Sequence, residues 1–328
     1  MDTPDRHESV AAPEFAAAPT EGAPRRRPVG PRRPRRYLLD REGPLASLML
    51  LPSIVYIIGL VAVPFVLAIA YSLSTATVGS PAIHWAGLEN FKRVVQDSTF
   101  QRSLLNSVLM TVIALAIIVV LSTILAMVLV KDFHGKWIVR FLILLPWTTP
   151  TSLAAITWLW MFDNLYSPID WMLQRVGLIE TNLHWLGNPR LAFAAIVITQ
   201  VWRILPLAAV INMAGMMAIP KSIEEQAEID GAGFWRKMFE ITLPLSMPVI
   251  AVALVFGAIL IFSDMTMVFI LTRGGPINAT QIIPTWAFFK GIQGGDLAQG
   301  AAIALFLFPI LLAFVVLILR AVRKLEVR

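Results

Sequence analysis

The chain has 328 residues, 57% of them hydrophobic and 15% charged, with 27 Lys and Arg against 21 Asp and Glu. Soluble domains average about 45–50% apolar and about 25% charged, so this composition excludes an ordinary soluble enzyme and calls for burial in lipid. With no cysteine, disulfides and thiol nucleophiles are excluded too, and with four scattered histidines no imidazole metal cluster is expected.

Residues 1–44 form an arm rich in Ala, Pro and Arg, with the run PRRRPVGPRRPRR from Pro24 to Arg36. Such a segment cannot bury enough apolar surface to order itself. The expectation is a disordered cytoplasmic arm that enforces topology and touches anionic lipid headgroups. It lacks the folded, aromatic reader of a nucleic-acid module, so no nucleic-acid partner is expected.

From residue 45 onward the gaps between charges mark the spans, since a helix needs about 20 apolar residues to cross the hydrocarbon. Glu42 to Glu89 encloses the first, apolar over 45–73, and Arg102 to Lys131 the second. Arg140 to Asp163 encloses the third, interrupted by Pro146-Trp147-Thr148-Thr149-Pro150-Thr151-Ser152. Two prolines free backbone carbonyls there, and the hydroxyls of Thr148, Thr149, Thr151 and Ser152 either satisfy them at a kink or line a polar pathway. Arg190 to Lys221 encloses the fourth, interrupted by Arg203. Arg203 falls about 18 Å into that helix, near mid-depth, where a charge marks function or an internal pair, with Asp264 as the candidate partner. Gln200, Asn212 and Asn106 are candidate interhelical hydrogen-bonding groups. The fifth span starts at Glu240 and is expected to continue to Leu271, which puts Asp264 near its outer mouth. Asp296 to Arg320 encloses the sixth. The predicted fold is therefore an all-α polytopic membrane protein with six transmembrane helices over 45–328.

Nineteen Lys and Arg fall on one side of these spans and seven on the other, with Arg203 inside. The positive-inside bias puts both termini in the cytoplasm. The outer connections carry Trp85, Trp171, Trp185 and Trp286, expected as interfacial anchors.

No phosphate-binding loop, zincin helix or nucleophile elbow appears in the chain. No catalytic and no metal-binding residue is expected, and energy for uphill transport must come from another chain or an ion gradient.

The connection between the fourth and fifth spans, residues 220–242, is the one strongly patterned loop. Pro220 closes the preceding span, and Ser222 with Glu225 reads as a Ser-x-x-Glu capping box opening a short helix. Gly231 and Gly233 permit a sharp exit, and a second short amphipathic stretch, 234–240, leads to the fifth span.

This loop resembles the Glu-Ala-Ala-x3-Gly-x9-Ile-x-Leu-Pro loop of permeases from binding-protein-dependent ABC importers. Glu225, Gln226, Ala227, Gly231, Ile241, Leu243 and Pro244 occupy the positions at every spacing, with Gln226 replacing the first Ala. Trp85-Ala86-Gly87-Leu88-Glu89-Asn90-Phe91 is similar to a segment after the first span of carbohydrate-importer permeases. Leu271-Thr272-Arg273-Gly274-Gly275-Pro276 is similar to one near the fifth span of the larger maltose and glycerol-3-phosphate permeases.

The resemblance implies a type I ABC importer permease fold in the bacterial plasma membrane. It implies an extracytoplasmic binding protein that delivers a sugar or sugar derivative, a second, different permease subunit, and a dimeric ABC ATPase that carries the ATP and Mg. This chain would bind no cofactor and would not itself be an enzyme. Ser222 to Asp230 would be the coupling helix against the ATPase, with Glu225 and Asp230 as polar contacts and Ala227 and Gly231 allowing close approach. Thr148, Thr149, Thr151, Ser152, Gln200, Arg203, Asn212 and Asp264 are the candidates for the substrate pathway. The alternative is an ion-coupled secondary transporter, which would favour internal repeats and a membrane-embedded carboxylate relay.

Overall fold

The computed structural model describes residues 42–80 and 84–326. The arm predicted over 1–44 lies outside the described residues up to position 41, and its last three positions already belong to the first helix.

The chain divides into two units, Met1–Ile57 and Ile58–Arg328. In the first, the described residues form one apolar helix, α1 (Glu42–Ile57), with Pro52 inside it. The second begins with a π-type turn, Ile58–Ala62, and α2 (Val63–Ser72). It continues through α3 (Glu89–Gln96), α4 (Ser98–Val130), α5 (Lys136–Thr148), α6 (Thr151–Met161), α7 (Pro168–Arg175) and α8 (Pro189–Met217). After the connecting loop come α9 (Lys221–Ile229), α10 (Phe234–Lys237), α11 (Leu243–Phe262) and α12 (Thr266–Leu271). Then follow α13 (Ile283–Phe288), α14 (Leu297–Leu305) and α15 (Leu307–Glu326). Among the described residues the only β-type pairing is two isolated bridges, Ser74 with Trp85 and Thr77 with Ser80.

Five helical runs are long and apolar enough to cross a membrane: Leu45–Ser72, Ser98–Val130, Pro189–Met217, Phe234–Phe262 and Leu297–Lys324. The sixth expected span is a broken pair, α5 and α6, bent by 94°. The sequence predicted a kink there, and the backbone makes a corner. A proline forces the residue before it out of the helical region. Thr149 accordingly sits at ψ 130° and Pro150 at ψ 128°, so one helix stops and another starts.

The fifth span also departs from expectation. It ends at Phe262, and after a break at 263–265 the residues Thr266–Leu271 form the separate helix α12. The Asp264 carboxylate accepts the Thr266 backbone N–H at 2.9 Å. This local side-chain turn competes with continuation of the helix. At its other end the stretch 234–240 is not a separate element. It runs through the π-type turn Met238–Thr242 into α11 as one helix from Phe234. The wider turn loosens the hydrogen-bond ladder where Pro244 could not have donated.

The core lies between α4, α8 and α11. Met110, Ala114 and Ile118 of α4 meet Ala195, Ile196 and Ile204 of α8 and Ala258 and Ile261 of α11. Without a hydrophobic drive between helices in lipid, close packing of small residues does this work. Outward positions such as Val120, Ile124, Leu153 and Ile156 are exposed apolar residues, as a lipid-facing surface requires. α11 also packs on α15, α14 on α2, and α12 on α6.

Candidate functional site

Two features stand apart from this apolar scaffold: a polar cluster inside the bundle and a capped helix outside it.

The cluster forms where α8 passes the start of α6 and the α11–α12 break. Arg203 projects from α8, and its guanidinium lies 2.9 Å from the Asp264 carboxylate. Gln200, one turn earlier, donates to the same Asp264 oxygen at 2.9 Å and accepts from Arg203 at 3.3 Å. A second Arg203 nitrogen donates to the Thr151 hydroxyl at 3.3 Å. The Arg203 Nε is buried with no hydrogen-bond partner in the described structure. Four of the predicted pathway residues, Thr151, Gln200, Arg203 and Asp264, therefore meet at one point. Of the two roles open to Arg203, the internal pair with Asp264 is present.

The others lie elsewhere. The Thr148 and Thr149 hydroxyls both donate to the Leu145 carbonyl, at 3.1 and 2.8 Å, satisfying a carbonyl next to the corner. Ser152 is exposed on α6. Asn212 is two and a half turns beyond Arg203, where its amide donates to the Ser122 hydroxyl of α4 at 2.9 Å.

The capped helix is α9. Its N-cap is Pro220, with no side-chain cap bond, so the predicted Ser222–Glu225 capping box does not form. Extended backbone at Pro220 starts the helix there, which leaves Ser222 inside the first turn and exposed. The C-terminus is tightly closed. Gly231 takes φ +73°, its N–H bonds to the Glu228 carbonyl at 3.0 Å, and the Ala232 N–H bonds to the Ala227 carbonyl at 2.9 Å. This is a Schellman closure, which favours glycine at the left-handed position. Ala227 is buried, while Glu225, Gln226 and Asp230 are exposed together with Gly231. Ile241, Leu243 and Pro244 are half-buried at the base of α11. The Lys237 ammonium pairs with Glu228 at 2.8 Å, stapling the exit of the loop to α9. That bond and the nearby charge hold the Glu228 carboxyl below its ordinary value.

The tryptophans divide. Trp85 and Trp171 are exposed, as anchors would be. Trp185 is only 8% exposed, and its indole N–H donates to the fully buried Asp170 at 2.7 Å. Trp286 donates to Asp97 at 3.1 Å, with the Lys290 ammonium over its ring. A buried indole needs a partner for its N–H, and a carboxylate supplies it.

Sequence reasoning gave Asn90 no structural role and gave Asn106 a hydrogen-bonding role without its partner, yet both tie loops down. The Asn90 amide donates to the Ser72 and Ser74 carbonyls at 2.9 and 2.7 Å, clamping the end of α2. The Asn106 amide donates to the Asn278 and Gln281 carbonyls at 3.2 and 2.9 Å, holding the loop after α12 against α4. For Asn106 the available signal was an uncharged amide on an apolar helix, without a partner attached.

Comparison with known proteins fits this arrangement. The family model for the binding-protein-dependent transport system inner membrane component matches residues 131–326. The trehalose/maltose transport system permease protein MalF of Thermococcus litoralis is 33% identical over 283 residues, covering 86% of this chain and 95% of that protein. The sulfoquinovosyl glycerol transport system permease protein SmoG of Agrobacterium fabrum is 32% identical over 282 residues, covering 85% and 90%. In fold, the chain is similar to the crystal structure of a bacterial ABC transporter involved in the import of the acidic polysaccharide alginate. That likeness has a TM-score of 0.73 at 22% identity and covers 87% of this chain and 97% of that one.

Proposed function

The chain belongs to the family of binding-protein-dependent transport system inner membrane components, and we propose that it is one permease subunit of an ATP-driven importer for a sugar or sugar derivative. It sits in the bacterial plasma membrane with both termini in the cytoplasm. A second permease subunit completes the pathway, and an external binding protein delivers the solute. A dimeric ATPase supplies ATP hydrolysis, so this chain itself has no catalytic residue and binds no cofactor. Family membership sets aside the ion-coupled secondary transporter.

The observation that carries the coupling is α9. It is a short helix with one buried side chain, Ala227, and an exposed edge of Glu225, Gln226 and Asp230. The Schellman closure at Gly231 and the Lys237–Glu228 pair make it rigid. A rigid protruding helix transmits a push, where a pliant loop would absorb it. Movement of α9 passes through the continuous helix from Phe234 to Phe262. That helix ends two residues before Asp264, so ATPase closure and the Arg203–Asp264 cluster share one lever. In this reading the cluster is a gate on the solute pathway, with Thr151 and Gln200 holding it.

The experiment is affinity purification of the chain from its own membrane in mild detergent. Recovery of an ATPase and a second permease is the expected result. A lone chain that transports without ATP would overturn the reading.

A further inference from the structure

We infer that the apolar groove between α4, α11 and α15, at the coupling-loop end of the bundle, holds the acyl chains of an anionic phospholipid. The inference rests on the reading of this chain as a permease whose coupling loop faces the cytoplasm.

The groove encloses about 800 Å³. Val120 and Ile124 of α4, Met247 and Leu254 of α11, and Ile318 and Val322 of α15 form its walls. Thr123 carries the one hydroxyl among its lining residues. Such a space offers nothing to a solute that must be hydrogen-bonded, and it suits hydrocarbon. Its mouth carries an aromatic pair, Trp235 and Phe239, with rings stacked at 6.0 Å and 14°. Trp235 is 67% exposed. An indole with one apolar side and one wet side belongs at the headgroup level.

Charge identifies the occupant. Arg236 and Lys237 follow Trp235 but are engaged by Glu240 and Glu228. On α15, Arg320, Arg323 and Lys324 flank the groove-lining Ala321 and Val322, and all three are exposed. A hydrocarbon slot beside three exposed cations matches acyl chains below a phosphate headgroup, the chemistry of anionic lipid in the cytoplasmic leaflet. A transmembrane helix from a second permease would fill the slot but leave those cations unanswered.

The test is native mass spectrometry of the complete transporter, purified from membranes containing phosphatidylglycerol and phosphatidylethanolamine. The wild type is expected to retain phosphatidylglycerol, enriched on the order of tenfold over phosphatidylethanolamine. Val120→Trp, which fills the groove from an exposed position, should lose the retained lipid. The triple variant Arg320→Gln, Arg323→Gln, Lys324→Gln should keep a lipid but lose the preference. Equal phosphatidylglycerol retention in the wild type and Val120→Trp would overturn the inference. So would a photo-crosslinker at position 120 that captures the second permease. ATP-driven uptake by the same preparation separates the two readings. Uptake with no retained lipid rejects the lipid site alone, and absence of an ATPase rejects the permease reading.

Discussion

The Arg203 guanidinium and the Asp264 carboxylate meet 2.9 Å apart, with 11% and 7% of their side chains exposed. They come from residues 61 positions apart, one inside α8 and one in the break after α11. Removing one partner of a buried pair strands a charge and costs about 3–5 kcal/mol. Arg203→Ala and Asp264→Ala are each expected to lower the unfolding temperature of the purified transporter strongly. Arg203→Leu with Asp264→Leu should recover most of that stability, because apolar replacements of both partners are often neutral. The proposed gate role requires the pair for transport, so the double variant should fold and import poorly. Normal solute uptake by it would remove the pair from the pathway.

Gly231 carries the left-handed φ of +73° that closes α9, and there is open space around its missing Cβ. The penalty for a side chain is therefore conformational and not steric. Gly231→Val should cost about 1–2 kcal/mol locally and weaken ATPase recovery. Gly231→Asn should be much milder, since Asn adopts this conformation readily. Equal recovery with both variants would detach the Schellman closure from coupling.

The Glu228 carboxyl is held below the ordinary glutamate value of 4.5 by its bond to Lys237. A depressed carboxylate favours the folded loop above that ordinary value, and the contribution fades as pH falls through the lowered one. The staple should be complete at neutral pH and open only in acid. Limited proteolysis of the loop across this range should show cleavage rising at low pH in the wild type. Glu228→Gln should be cleaved faster at neutral pH, with a flat profile that the wild type meets in acid.

Gly215 allows α8 and α11 to touch. A Cβ placed there would lie 2.7 Å from the Val249 Cβ. Gly215→Ala should destabilise by about 1–3 kcal/mol through overpacking. Adding Val249→Ala should restore most of the loss, which a thermal unfolding series would read directly.

Much of the helix layout was legible in the sequence. The second and fourth predicted spans correspond to α4 and α8, because gaps between charges report lipid exposure directly. The errors fall where local backbone chemistry outweighs hydropathy. Thr149-Pro150 turns an expected kink into a corner. Asp264 ends a span that was expected to reach Leu271. Pro220 starts α9 ahead of Ser222. Apolar composition is blind to each, since a broken helix and an intact one have the same hydropathy.

The sequence by itself determined that this chain belongs in lipid, which stretches supply its spans and which loop carries the family pattern. Those properties follow from composition, charge placement and residue spacing, which are local or one-dimensional. Only the tertiary structure decided which polar residues meet. It joined Arg203 to Asp264, Gln200 and Thr151, and sent Asn212 to Ser122 instead. It assigned Trp185 to Asp170 and Asn106 to the loop after α12. A buried polar group must find a partner, but where that partner lies along the chain is set by the packing of helices remote in sequence.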